Sequence, residues 1–332
     1  MNKILLIGET DNENSSTIEI MNSFQNIGYK VDSFNFRSIS FELCKFKFLY
    51  KYLDFIFKKL NRLGFKYFYY NFLGRAKMLQ ILLNLKFDEY NFVLFTKCEF
   101  INPIIFLKIN KIAPVYYFFF DSMLEIRNYD LYNHFNFSKK AFVVSKTMSQ
   151  KLTAHKKIKR IISYCPQGIS SHKWNKEKKN IKNFDVVFIG SKNEYRNKFI
   201  NFLKTNGINV LCYGIGFENG EIYNDKLNLL YQKSKIALNF SRDKISYSIR
   251  IYQIMASGCF VLSTETDELS AIFNKGEHFD DFDSKEKCLE KIKYYLKNSN
   301  ILSKLTDNSY IKVHDEFNWE RICKKFIIDN ED

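Results

Sequence analysis

The sequence predicts an α/β protein made of two halves, each with a parallel β-sheet covered by helices. Short apolar runs alternate with helical patterns along most of the 332 residues, and one polar, basic stretch at 170–183 interrupts the alternation. Continuous apolar strands separated by helices are typical of parallel sheets that are buried on both faces. A chain of this length also exceeds what one hydrophobic core usually supports, so two domains are expected.

Ten apolar runs are the candidate strands. Six precede the polar stretch, at 3–8, 29–35, 91–97, 114–120, 141–145 and 159–164, and four follow it, at 185–190, 208–213, 235–240 and 259–263. From about residue 284 to 328 the pattern is helical only. We therefore expect one Rossmann-like domain over residues 1–175, a second over 184–315, and a helical C-terminal tail.

Composition excludes several classes of protein. No run approaches the length of about 18 apolar residues that a membrane span needs, and the apolar run at the N-terminus is too short for a signal peptide. The seven cysteines are odd in number and never form a C-x-x-C pair, which predicts reduced, buried thiols and no zinc site. The five histidines lack the spacing of metal ligands. These observations predict a cytoplasmic protein without a metal cofactor.

The net charge of +15 leaves three interpretations open. It fits compositional drift toward Lys, Asn, Ile, Phe and Tyr, an anionic membrane or acceptor as a partner, or binding to nucleic acid. Residues 41–84 mix aromatic residues and lysines densely and are expected to form a helical insertion. Such an insertion is either a basic amphipathic surface for lipid headgroups on the inner membrane face, or ordinary core with solvated lysines.

Ligands of open parallel sheets bind beyond the carboxyl ends of the strands, and several polar residues and glycines follow the strands of the second half. Glycines at such turns allow close approach to a ligand, and helix N-termini favour anions. A tyrosine there is a candidate for stacking on a nucleobase, although a turn with a packed ring explains it equally well. The candidates are Gly190, Ser191, Arg196, Tyr213, Gly214, Asn239 and Arg242.

The stretch SYSIRIYQIMASGCFVLSTETDEL at 246–269 predicts a helix with two stripes. One is apolar and faces a core, while the other carries Ser246, Arg250, Gln253 and Ser257. Ser246 or Ser248 is the expected N-cap, and Arg250 near the helix start is suited to bind the same anion as the free N–H groups. Gln253 is suited to hydrogen-bond a diol such as ribose. The alternative is that this stripe only lines a hydrated cleft.

The residues from 185 to 328 resemble the nucleotide-sugar domain of GT-B glycosyltransferases, and in particular the CgeB-like group-1 transferases. The resemblance is carried by SIRIYQIMASGCFVLSTETDELSAIF, by FIGSKNEYR, by LYQKSKIALNFSRD and by the closing segments DSKEKCLEKIKYYLKN and HDEFNWERICKKF. The first half is similar only through its strand pattern, through YYFFFDS with Asp121 after a strand, and through CPQGIS.

The resemblance implies a GT-B fold with an acceptor domain, a donor domain, a cleft between them and a last helix, 316–332, that crosses back to the first domain. It implies a nucleotide-diphosphate sugar as co-substrate, a glycan or lipid-linked acceptor and no metal. Gly190, Ser191, Arg242 and Arg250 would hold the diphosphate and Gln253 the ribose, while residues 264–266 would lie on the sugar side. Those three residues are Thr264, Glu265 and Thr266.

Three features qualify this expectation. The family usually has Glu where this chain has Gln253, and an amide is a weaker partner for ribose than a carboxylate. Asp121 is the candidate general base if the reaction inverts configuration. The acidic segment Asp280–Asp283 resembles a metal-binding D-x-D, but its place before a helix favours capping or a solvated loop. The alternatives to an active transferase are a basic nucleic-acid-binding protein and a catalytically weakened GT-B module with a binding role.

Overall fold

The computed structural model describes residues 2–11, 15–177, 181–241, 245 and 248–328. The chain divides into two compact units. Unit 1 comprises Met1–Pro166 together with Cys323–Asp332, and unit 2 comprises Gln167–Ile322. For comparison, the domain limits predicted from the sequence are 1–175 and 184–315.

Unit 1 contains a six-stranded sheet in the order β2-β1-β3-β4-β5-β6, and every neighbouring pair is parallel. The strands are β1 (Lys3–Ile7), β2 (Lys30–Phe34), β3 (Phe92–Thr96), β4 (Val115–Phe119), β5 (Lys140–Val143) and β6 (Ser163–Tyr164). All six predicted strands are present. The last is reduced to two residues at the sheet edge.

Helices lie between the successive parallel strands of unit 1. They are α1 (Ser16–Asn26), α2 (Phe36–Glu42), α3 (Tyr50–Arg62), α4 (Lys66–Asn71), α5 (Arg75–Leu83), α6 (Ile104–Asn110), α7 (Met123–Tyr129), α8 (Tyr132–Phe137) and α9 (Lys146–Thr153). The predicted insertion at 41–84 is helical and consists mainly of α3, α4 and α5. Short 3-10 turns lie at Lys47–Leu49 and Phe87–Glu89.

Unit 2 contains a five-stranded parallel sheet in the order β8-β7-β9-β10-β11. The strands are β7 (Phe184–Ile189), β8 (Val210–Tyr213), β9 (Ser234–Asn239), β10 (Phe260–Thr264) and β11 (Asp280–Phe282). The helices are α10 (Glu194–Thr205), α11 (Asn224–Gln232), α12 (Arg250–Ala256), α13 (Asp267–Ser270), α14 (Lys285–Lys297), α15 (Ser299–Glu316) and α16 (Trp319–Ile322). A π-helical turn, Cys323–Ile328, follows and contacts α1 within unit 1.

The prediction of two parallel sheets with flanking helices and a helical C-terminal region is confirmed. One strand was missed, because the expectation of a cap or solvated loop at the acidic segment is wrong for its first two residues. Asp280 and Asp281 lie in edge strand β11 and are 8% and 6% exposed. Lys291 lies 2.7 Å from Asp280 and Lys275 lies 2.6 Å from Asp281, so both carboxylates are neutralised where they are buried.

The seven cysteines are all free and buried, as predicted from their scatter. Among the described residues, no helix is both long enough and apolar enough to cross a membrane.

Candidate functional site

In the sheet of unit 2, β7 and β9 are neighbours. The chain continues from β7 to β8 on one side of this pair and from β9 to β10 on the other side, so the strand order reverses between β7 and β9. In open parallel sheets this switch point is where a crevice for a ligand forms, at the carboxyl ends of the strands. Gly190 and Ser191 follow β7, and Asn239 ends β9. The structure therefore brings these three predicted residues to one edge of the sheet.

The turn after β7 is joined to the turn after β8 by their main chains. The amide of Gly190 donates to the carbonyl of Tyr213 at 2.9 Å, and that of Lys192 donates to the carbonyl of Ile215 at 2.8 Å. A Cβ on Gly214, where φ is +129°, would lie 2.2 Å from the carbonyl oxygen of Gly190. Glycine at 214 is therefore required by close packing of the two turns. The ring of Tyr213 is half-buried.

Arg196 holds the turns after β7 and β9 together. Its guanidinium donates to the carbonyl of Ser191 at 2.8 Å and to that of Phe240 at 3.5 Å, and lies 5.5 Å from the centre of the Phe188 ring. Asn193 caps the helix that carries it, because the Asn193 side chain accepts from the Arg196 amide at 2.9 Å. The predicted anion-binding residue thus also fixes the geometry of the edge.

A second set of hydrogen bonds joins the ends of β9 and β10. Asn239, which is fully buried, donates to the hydroxyl of Ser263 at 2.9 Å. The Ser241 amide donates to the hydroxyl of Thr264 at 2.9 Å. The Oδ1 atom of Asn239 is buried and has no hydrogen-bond partner in the described part of the chain. This orphaned acceptor lies at the predicted ligand edge.

Of the three residues expected on the sugar side, only one is open to solvent. Glu265 is exposed, while the Thr264 hydroxyl is engaged by Ser241. Thr266 is 2% exposed and caps α13 by accepting from the amide of Leu269 at 3.2 Å. Thr266 therefore shapes the loop through its cap.

The helix predicted at 246–257 is shorter than expected and spans Arg250–Ala256. Its apolar stripe is confirmed, since Ile251, Ile254 and Met255 are fully buried. The prediction that Ser257 lies on an open polar stripe is wrong. Ser257 is fully buried, and its hydroxyl donates to the carbonyl of Gln253 at 2.7 Å.

The remaining two described members of the polar stripe, Arg250 and Gln253, are half-buried. The Arg250 guanidinium forms no ion pair or side-chain hydrogen bond with the described residues. The N-cap position is occupied by Ile249, which makes no side-chain cap, and Ser248 instead accepts from the Arg250 amide at 3.3 Å. Burial raises the pKa of Tyr231, and the charge of Arg250 opposes that rise. Within the part of the chain that the structure describes, the guanidinium at the start of α12 therefore has no anionic partner.

Two residues of the predicted site, Arg242 and Ser246, lie outside the described residues.

In unit 1 the carboxyl ends of the strands also carry charged side chains. The ammonium of Lys97, after β3, lies 3.1 Å from a carboxylate oxygen of Asp121, which follows β4. Both groups are about one-third exposed, at 37% and 31%. Lys97 and Cys98 both have positive φ, +58° and +51°, a conformation that costs non-glycine residues energy and is enriched at functional sites.

Beside them lies an ion pair that the sequence analysis missed. Arg37, after β2, bonds to Glu99, after β3, and its Nε lies 3.7 Å from Glu9, after β1. Burial alone would raise the pKa of Glu99, but the charge of Arg37 holds it below its usual range. The position of Glu99 just after a predicted strand was an available signal. Glu268, a fully buried carboxylate on α13, was missed as well.

Among the described residues, no group of three or more His, Cys, Asp or Glu side chains is arranged to hold a metal ion.

The fold is that of GT-B proteins, as solved structures show over nearly the whole chain. HepE from Anabaena, solved with UDP-glucose, matches with a TM-score of 0.68 at 12% identity over 98% of both chains. A glycosyltransferase from Rickettsia africae ESF-5 matches at 0.63 with 13% identity over 99% of both chains. Sucrose-phosphate synthase from Thermosynechococcus elongatus matches at 0.61 with 11% identity, over 98% of this chain and 97% of that one.

The more particular match is confined to the second half. Residues 196–327 match the family model described as glycosyl transferase-like. That segment contains α10, α12 and the ends of β8, β9 and β10, so it includes most of the site described above. A comparison with curated protein sequences finds no match.

Proposed function

We propose that this protein is a glycosyltransferase that moves a sugar from a nucleotide-diphosphate sugar to a hydroxyl of an acceptor. The GT-B fold and the family match at 196–327 support the class of reaction. The observation that carries the proposal is the half-buried guanidinium of Arg250, which has no anionic partner among the described residues and lies in the segment that follows β9, the strand at the switch point of unit 2.

The proposed roles follow the chemistry of each side chain. Arg250 and Arg242 neutralise the diphosphate, and the amide of Ser191 donates to it. Gly190, which has no side chain, lets the phosphate approach this turn. The Gln253 amide binds the ribose, and the half-buried ring of Tyr213 stacks on the base. The buried side chain of Asn239 supports the site from below, because it joins the ends of β9 and β10 through the hydroxyl of Ser263.

Charge develops on the leaving diphosphate in the transition state, and fixed cations there lower the barrier. We propose that the arginines supply this charge and that the reaction needs no added divalent ion. On the acceptor side we propose a glycan, a lipid-linked saccharide or another precursor of a surface polymer. Asp121 is the proposed base that takes the acceptor's proton, with Lys97 holding its carboxylate in place. Membership of the CgeB-like group and a cytoplasmic location belong to the same proposal.

Thermal unfolding in the presence of UDP-, GDP-, CMP- and dTDP-sugars tests the donor. A ligand at about 100 times its Kd that binds only the folded state adds about 2.7 kcal/mol to the free energy of unfolding. One nucleotide class should therefore raise the Tm clearly. Equal melting temperatures with all four donors would contradict the proposal.

Replacing Arg250 tests the site itself. Arg250→Ala should lower donor hydrolysis by about 100- to 1000-fold, since a removed charge-stabilising donor typically costs that much. Lys293→Ala is the matched control, because Lys293 is an exposed cation on α14 in the same unit. Equal activity of the Arg250 variant and the control would remove Arg250 from the mechanism. Unchanged turnover after treatment with EDTA is expected in the parent protein.

Gln253 gives a test of the weakened-module alternative. A carboxylate accepts ribose hydroxyls more strongly than an amide does, so Gln253→Glu should tighten donor binding if the site retains its donor. A sharp gain in affinity without turnover in the parent protein would favour a binding role. Strong, salt-steep retention on nucleic acid with no response to nucleotide sugars would favour the nucleic-acid alternative suggested by the charge.

A further inference from the structure

The helical insertion of unit 1 carries apolar side chains on its surface. We define this insertion surface as the outward side chains of residues 41–72. Its exposed members are large and mostly aromatic, and Phe48 is the most exposed of them at 84%. They are Phe41, Phe46, Phe48, Leu49, Tyr52, Phe55, Leu63, Phe65, Tyr67, Phe68 and Phe72. The ring centre of Phe68 lies 6.0 Å from that of Tyr67 and 5.3 Å from that of Phe72, so these members adjoin. Adjoining apolar side chains on a water-facing surface mark an interaction site.

The same segment is strongly basic. Residues 41–84 contain nine Lys or Arg and two Asp or Glu, and both acids are already neutralised within the unit. Lys45, Lys51, Lys59 and Lys77 form no ion pair with the described residues. Cations next to exposed aromatics are the pattern of proteins that bind anionic lipid surfaces. The charge therefore points to an anionic partner.

A cavity of about 500 Å³ opens within the insertion. Its walls are almost entirely apolar, including Phe57 and Phe72, whose ring centres are 5.4 Å apart. Lys45 and Lys77 are the cations that line it. The volume lies in the range of small-ligand sites, roughly 300–1,000 Å³. An apolar cavity with cations at its wall matches a molecule with a hydrocarbon chain and an anionic head.

The insertion packs against the rest of unit 1. Arg75 is fully buried, bonds to Asp54 on α3 and lies 4.1 Å from the centre of the Phe100 ring. Gly74 lies so close to α2 that a Cβ there would be 2.3 Å from the carbonyl of Ser40. The exposed aromatics thus belong to an ordered surface.

We propose that the insertion surface docks on a bilayer containing anionic phospholipid and that the cavity takes one hydrocarbon chain of such a lipid, with Lys45 and Lys77 at its phosphate. The inference does not depend on glycosyl transfer. It would place unit 1 where an acceptor with a lipid anchor is found.

Binding to vesicles tests the docking. The full chain should float with vesicles of phosphatidylcholine mixed with phosphatidylglycerol and not with phosphatidylcholine alone. Lys45→Gln with Lys77→Gln should weaken binding about 25-fold, since each lysine near an anionic surface contributes about fivefold. The matched control, Lys293→Gln with Lys297→Gln on α14, removes the same charge from unit 2 and should change binding less than about twofold.

Tryptophan emission tests the cavity. The native Trp174 and Trp319 are buried in unit 2, at 2% and 1% exposure, and should be insensitive to lipid. In a Phe57→Trp variant, emission should be quenched by phospholipid brominated along its chain. Circular dichroism and Tm establish that each variant folds.

Four outcomes overturn the proposal. The first is no binding of the chain to anionic vesicles, and the second is an equal loss of vesicle binding in the two double-lysine variants. The third is vesicle binding without quenching of the tryptophan emission at position 57. The fourth is self-association of the chain that Phe48→Ser abolishes, with no binding to vesicles. The last outcome would assign the surface to a second copy of the protein. Because none of these measurements uses a nucleotide sugar, their failure is distinct from failure of the proposed transferase activity.

Discussion

Gly214→Ala should destabilise unit 2 far more than a glycine substitution ordinarily does. The new Cβ would lie 2.2 Å from the carbonyl oxygen of Gly190 and 2.6 Å from its carbonyl carbon. The turns after β7 and β8 would have to separate by roughly 1 Å to restore a normal contact distance. That separation breaks the hydrogen bonds from Gly190 to Tyr213 and from Lys192 to Ile215, which join the two turns.

The magnitude follows from these contacts. A non-glycine residue at positive φ costs about 1–2 kcal/mol, and each lost hydrogen bond costs about 1 kcal/mol. We therefore expect the free energy of unfolding to fall by about 3–4 kcal/mol. Gly207→Ala is the matched control, because φ is +85° there but nothing lies within 4 Å of the added Cβ. Its cost should be about 1–2 kcal/mol, from backbone strain alone.

Urea unfolding followed by tryptophan emission measures both variants, since Trp174, Trp319 and the two glycines all belong to unit 2. The Gly214 variant should also lose its Tm response to the nucleotide sugar, whereas the Gly207 variant should keep it. Equal losses of stability in the two variants would refute the close packing of the two turns.

Three further predictions concern unit 1 and the thiols. Burial lowers the pKa of His134 to about 4, so only the unfolded chain binds a proton at this residue as the pH falls from about 6.5 to 4. Calorimetry should therefore show that the free energy of unfolding falls by about 3 kcal/mol over that window. In the His134→Gln variant this pH dependence should be smaller. Arg75→Met removes the buried guanidinium that bonds to Asp54 and to the carbonyl of Tyr69. Because Asp54 keeps Lys58, the expected loss in thermal unfolding is that of a charged hydrogen bond, about 1.5–3 kcal/mol, against a negligible change for the exposed Arg62→Met. A thiol reagent should modify all seven cysteines in urea and essentially none in the native protein, because all seven are buried. Burial also raises the pKa of the Cys259 thiol to about 12, which disfavours the reactive thiolate. Rapid labelling of the native protein would contradict the burial of the thiols.

The strands were predictable because parallel sheets bury both faces of each strand. Residues 92–96 and 186–189, the inner parts of two predicted strands, are buried, and the structure places strands there. The strand β11 escaped because its first two residues are acidic. Their burial depends on Lys275 and Lys291, and a sequence pattern does not reveal ion pairs formed across such a loop.

The candidate site was predictable to the level of the sheet edge. Strand ends are visible in the sequence, so Gly190, Tyr213 and Asn239 were found from position alone. Hydrogen bonding was not predictable, and the roles of Ser257 and Thr266 changed once their hydroxyls were seen to bond their own helices.

Residue spacing in the sequence does not predict ion pairs between distant parts of the chain. Arg37 and Glu99 are 62 residues apart and meet only because β2 and β3 flank β1 in the sheet. The helix start at Arg250 was also misjudged by a few residues, since two serines offered alternative caps.

The chain leaves unit 1 at Pro166 and re-enters it at Cys323, so unit 2 is an inserted domain. Its two ends adjoin, because Ile169 and Asn318 pair as a β-bridge and Gly168 packs on Trp319. A continuous gene fragment therefore encodes unit 2 whole, whereas truncation after residue 322 would strip buried Cys323 and Ile327 from unit 1. Expression of unit 1 by itself calls for a short peptide splice from 166 to 323.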